Sequence, residues 1–71
     1  MEVLVFSTSV QSQDQVQILT PKINSLAGKG HWNFALDDQD KILRIVSDHV
    51  NAIEAIGLLK EYGFDCQELT D

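Results

Sequence analysis

The sequence predicts a single α+β domain over residues 1–71, a four-stranded antiparallel sheet with two helices on one face, in the order β-α-β-β-α-β. Three observations carry this. Two amphipathic stretches, each opened by a capping signal, repeat their apolar residues at helical spacing. Between them an alternating segment folds back at a polar turn, and a short apolar run stands near the start of the chain. With 44% hydrophobic and 23% charged residues, the 71-residue chain is too apolar to stay disordered and is long enough for one modest core.

The first strand is expected at Glu2 to Phe6, or a residue or two longer. Its run Val3-Leu4-Val5-Phe6 does not alternate, which marks a central strand occupied on both faces. Ser12-Gln13-Asp14-Gln15 reads as a capping box, the serine accepting from an early amide while the glutamine reaches back. Val16, Leu19, Ile23 and Leu26 then form one helical stripe, closed by a left-handed Gly28 beyond Ala27. Pro21 inside the stripe removes an amide bond and predicts a kink. The alternative is a shorter helix capped by Thr20, with Pro21 at its first position.

Trp32, Phe34 and Leu36 alternate with Asn33 and Ala35 as a half-buried strand. Asp37-Asp38-Gln39-Asp40 is a polar turn, and Lys41 to Val46 returns as the second strand of a hairpin. Asn51 and Glu54 form another capping box. The second helix should bury Ala52, Ile56, Leu59 and Tyr62, a face widened by Ile53 and Ala55, and stop at Gly63. Phe64 to Leu69 is the last strand. This order is the ferredoxin-like, split-βαβ pattern. Its core is expected at Leu19, Ile23, Leu26, Trp32, Phe34, Leu36, Leu43, Ile45, Ile56, Leu59 and Phe64.

Eleven acidic against five basic residues give a net charge of −6. Phosphate backbones need a basic footprint, so nucleic acid is excluded as a partner, and anionic membrane surfaces are disfavoured. A basic protein partner is compatible with the acidity, and solubility alone also accounts for it. The single cysteine forms no internal disulfide and fits a reducing, cytoplasmic compartment. The start Met1-Glu2-Val3-Leu4-Val5-Phe6 has no basic region, and its apolar run is too short for a signal peptide or a membrane span.

Three stretches carry a family resemblance. Leu26-Ala27-Gly28, Trp32-Asn33-Phe34-Ala35-Leu36-Asp37 and Glu61-Tyr62-Gly63-Phe64-Asp65-Cys66 resemble parts of the heavy-metal-associated domain of copper chaperones and metal-pumping ATPases. They match the end of its first helix, its second strand and the junction into its last strand, so the likeness covers nearly the whole chain and implies the same fold. That family holds Cu(I) or Zn(II) with a Cys-x-x-Cys pair in the loop entering the first helix, beside the positive end of the helix dipole. The matching positions here lie near Ser12 and Gln15, and Ser7 to Gln17 contains no cysteine, histidine or methionine. The resemblance therefore implies the fold without the ligands, and no metal or other cofactor is expected.

The remaining candidates each have a plain structural reading. Cys66 is expected as a small hydrophobe on the last strand, where the family carries an aliphatic residue. His31 and His49 should lie at the end of the domain away from the first strand–helix loop, a pair too few for a complete metal site. The cluster Asp37, Asp38 and Asp40 lacks the glycine and distal glutamate of a calcium loop. An RNA-recognition domain would need aromatics on its third strand, which offers Ile42, Arg44 and Val46 instead. An anion-cradling enzyme would need glycines before the first helix, and there are none. No nucleophile–base pair is visible, so catalysis is not expected.

A binding role fits better. Val3 and Val5 of the first strand, with Ile42 and Val46 of the third, should form an apolar patch on the sheet face left open by the helices, flanked by Arg44 and Glu2. The expected function is a non-catalytic interaction module that meets a protein partner or a second copy through this face. The alternative is a copper or zinc carrier with unconventional or partner-supplied ligands.

Overall fold

The computed structural model describes residues 2–69. Its elements follow the order β1 (Glu2–Thr8), α1 (Gln13–Ala27), β2 (Trp32–Ala35), β3 (Ile42–Ser47), α2 (Ala52–Glu61) and β4 (Cys66–Glu68). All ladders are antiparallel and the strand order is β2-β3-β1-β4, a small α+β domain with β1 and β3 at the centre.

Partners across a ladder point to the same face of the sheet, so the register sorts the side chains. Leu4 pairs with Ile45, and Phe6 with Leu43; Trp32 and Phe34 face the same two β3 residues from the other side. Phe6, Leu43 and Ile45 are fully or almost fully buried, together with Leu19 and Ile23 of α1 and Ala55 and Leu59 of α2. These residues form one core cluster, so both helices cover this one face. Trp32 is pinned over α1 by its indole N–H, which donates to Asn24 Oδ1 at 2.8 Å. Its ring meets that of Phe34 edge-on, centroids 5.9 Å apart.

The helix ends follow their local chemistry. Ser12 Oγ accepts from the Gln15 N–H at 3.3 Å, but Gln15 Oε1 takes the Gln11 N–H at 2.7 Å, so the box closes one residue earlier than expected. At α2 the box is complete, with Asn51 and Glu54 bonding reciprocally. Its far end is a Schellman closure: the Phe64 N–H donates to Leu59 and the Gly63 N–H to Lys60. That geometry puts Gly63 at φ 85°, open to glycine at little cost.

Several expectations need correction. α1 runs through Pro21 without interruption, so the shorter helix does not form. Pro21 and Gln17 are both exposed, and water can take the carbonyl that the missing amide leaves free. Gly28 does have a positive φ of 95°, but its ψ of 141° is extended rather than left-handed helical. Leu36 belongs to the turn, as does Lys41, held at φ 51° while its Nζ donates to the Leu36 carbonyl. β4 is only three residues long. Phe64 is committed to the helix closure, and the Asp65 N–H donates to Ser9 Oγ instead of a strand. On α2 the buried face centres on Ala55 and Leu59, leaving Ile53 80% exposed and Tyr62 at the surface. Ala55 and Cys66 are buried as expected, and Phe6, Val10 and Val50 join the core beyond the expected set.

Burial on this scale has a direct consequence in mutants. Ile45→Val should cost about 1 kcal/mol through the cavity it leaves, whereas Ile53→Val should stay within about 0.5 kcal/mol. Asn51→Ala should cost about 1 kcal/mol by removing the cap. Urea denaturation of the three variants measures this, and equal losses at Ile45 and Ile53 would contradict the burial described.

Candidate functional site

Three regions bear on function: the end of the sheet at Thr8, the opposite end at Ser47, and the sheet face turned away from the helices.

At the first end, the loop between β1 and α1 is tied down on both sides. The Thr8 N–H donates to the Asp40 carbonyl at 3.1 Å and its Oγ1 to the Lys41 carbonyl at 2.6 Å. The Ser9 N–H donates to the Asp65 carbonyl at 3.1 Å, and Ser9 Oγ accepts the Asp65 N–H at 2.8 Å. Val10 is fully buried and anchors the loop in the core. The hairpin turn, this loop and the segment after Gly63 therefore meet at one end. Ser12 and Gln15, the positions where the metal loop of the resembled family would carry thiols, are engaged in starting α1.

Beside this loop lies a hollow of about 520 Å³ lined by Ser7, Thr8, Ser9, Lys60, Asp65, Cys66 and Gln67. The amides of Thr8, Ser9 and Val10 are already bonded within the protein, so they present no cradle for an anion. Cys66 is buried and belongs to the core cluster. Burial pushes its thiol up to about 11, against a smaller opposing pull from Lys60. Such a thiol is protonated at neutral pH and a poor nucleophile.

At the opposite end, His31 and His49 line one hollow of about 220 Å³ with Ala27, Gly28, Val46, Ser47 and Asp48. The chain is brought there by the Val46 N–H, which donates to the His31 carbonyl at 2.7 Å, and by the His49 N–H, which donates to Ser47 Oγ at 3.0 Å. A β-carbon on Gly28 would come within 3.3 Å of the His31 ring, so the glycine allows that ring to pack close. Both histidines are exposed. Among the described residues, no group of three or more His, Cys, Asp or Glu side chains is placed to hold a metal ion.

The open face is set by the register. Val3 pairs with Val46, and Val5 with Arg44, which pairs in turn with Asn33 across β3. Ala35 pairs with Ile42. The Leu69 N–H donates to the Val5 carbonyl at 2.8 Å, which continues the β1–β4 register and brings Leu69 to the same face. Val3 is 56% exposed and Leu69 40%. Two details differ from the expected patch. Ile42 is buried, with 9% of its surface left, and Glu2 pairs with Ser47, which puts it on the helix-covered side. Leu69 and Asn33 were not among the expected surface residues. The three-residue β4 hides the alternation that would have assigned Leu69, and Asn33 reads in sequence only as a polar position between core residues.

No protein-family model matches this chain, and no curated protein or solved structure is detectably similar to it. Among the described residues no helix is long and apolar enough to cross a membrane.

The burial of Cys66 predicts a pH effect of definite sign. Its folded pKa lies above the ordinary value of 9.0, so the stabilisation from the neutral thiol is complete below about 9 and is lost as pH rises toward 11. Wild type and Cys66→Val should therefore diverge in chemical denaturation between those pH values, the wild type losing more stability. Parallel curves would mean that the thiol ionises as freely in the folded state as in the unfolded one.

Proposed function

We propose that this chain is a non-catalytic interaction module that binds a protein partner through the open face of its sheet. The observation that carries the reading is the exposure of Val3 and Leu69 beside half-buried Val5 and Val46 around Arg44, on the side that neither helix covers. Apolar side chains grouped in this way on a sheet face are common at association surfaces.

The scaffold reading is ferredoxin-like, as in the heavy-metal-associated domain. It is supported by the element order and by β3 lying between β1 and β2 while β1 lies between β3 and β4, as two interlocked split-βαβ units require. The relation to metallochaperone domains rests on the quoted sequence stretches and on this arrangement, with the thiol positions given over to helix capping. A cytoplasmic setting belongs to the same reading and is supported by a lone cysteine kept inside the core.

A photo-crosslinking residue at position 3, compared with one at exposed position 53 on α2, tests the reading in the native host. A discrete adduct should form from position 3, be absent from position 53, and disappear when Val46→Lys is added. Equal labelling from both positions, or none from position 3, retires the open face as the binding surface.

The alternative, a copper or zinc carrier with unconventional ligands, gains support from one observation, the meeting of His31 and His49 in one hollow. A Zn(II) and Cu(I) titration of the reduced protein against a chromophoric chelator separates the two. The interaction reading expects no competition with the chelator. A carrier would show tight one-to-one binding that is lost in His31→Ala or His49→Ala.

A further inference from the structure

We infer that the partner of the open face is a different protein that presents a carboxylate from an apolar segment, with the carboxylate seated on Arg44. This rests on the interaction reading above and adds the chemistry of the partner.

Arg44 stands at the middle of the outward side of β3, a central strand, with Val5 and Asn33 directly across its two ladders. It is exposed, and none of the side-chain hydrogen bonds among the described residues engages its guanidinium. Beside it the face is dished into a hollow of about 300 Å³ lined by Gly30, His31, Trp32, Asn33, Arg44 and Val46. A guanidinium fork with a side-chain amide next to it matches the planar, two-oxygen geometry of a carboxylate. Arginine inside an apolar surface is also among the residues that most often dominate binding energy.

The charge pattern decides against a second copy. Across the four strands the outward positions include no Asp or Glu; Arg44 is the one charged residue there among the described residues. Two such faces pressed together would offer Arg44 no counter-charge and would desolvate it unpaired, which is costly. Acidic residues gather instead at the two ends of the sheet: Glu2, the first residue of β1, and Asp48 at one, and Asp37, Asp38, Asp40 and Asp65 at the other. A complementary surface therefore has a carboxylate at its apolar centre and basic residues toward its edges, where the acidic ends also speed encounter.

Selection of a phage-displayed random peptide library against the intact chain tests this. Enriched peptides should share an Asp or Glu among apolar residues and shift the amide resonances of Val5, Asn33 and Val46. Replacing that acid by its amide, or making Arg44→Gln, should weaken binding about tenfold, and combining both changes should weaken it no further. Peptides that bind this face without an acid, or losses that add in the double variant, overturn the carboxylate while leaving the interaction reading in place. Enrichment on the helical side, or no enrichment, overturns both. Concentration-dependent dimers abolished by Val46→Lys but indifferent to Arg44→Gln would make a second copy the occupant and overturn the inference.

Discussion

The register between β1 and β3 is the constraint on which the rest of the fold depends, and β1 cannot set it alone. Val3, Leu4, Val5 and Phe6 are apolar at both parities, so β1 could turn either set inward. A shift of one residue would exchange the two faces. β3 resolves the ambiguity, because Arg44 cannot be buried without a partner while Leu43 and Ile45 can. Pairing Arg44 with Val5 then turns Phe6 inward against Leu43, and the helices close over the side where Phe6 lies. The same arginine that fixes the sheet thus also marks its outer face.

The two ends of the sheet are built differently, and this bears on what each end can do. At the Thr8 end, backbone and hydroxyl bonds tie the strand–helix loop to the hairpin turn and to Asp65, and buried Val10 plugs the loop into the core. A loop so committed has little freedom to rearrange around a ligand. At the Ser47 end the chain turns through exposed Asp48 and His49 beside His31, where a surface hollow remains. At the head of α1, Ser12 and Gln15 are taken up by capping, whereas at the Ser47 end the side chains stand at the surface.

Much of this was legible in the sequence, because periodicity and capping chemistry are local. The capping residues Ser12 and Asn51, the stripe through Leu19 and Ile23, the hairpin around its acidic turn and the stop at Gly63 all follow from neighbours within a few positions. Features decided by distant contacts were less legible. Ile53 sits within an apolar stretch and points to water, because the side of α2 packed into the core is the one that carries Ala55 and Leu59. β4 is shortened by competition from the α2 closure and from Ser9, 56 residues away in sequence from Asp65. The open face was legible at Val3, Val5, Arg44 and Val46, since alternation along a strand assigns them together. It was not legible at Leu69 or in the burial of Ile42, which depend on how the sheet edges close.

An apolar sheet face could persist simply because central strands favour apolar residues, and Ile42 shows that part of this face is covered within the chain itself. Arg44 argues for more than that. Its aliphatic stem can lie along neighbouring valines while the guanidinium stays in water, which limits the cost of the face in the free protein. A lysine or glutamine would keep the register equally well, since either is excluded from the core. What arginine adds is a fork of five donors at the centre of an apolar surface, beside an amide and next to a hollow of suitable size. Register needs only polarity at that position; recognition of a planar anion needs its geometry.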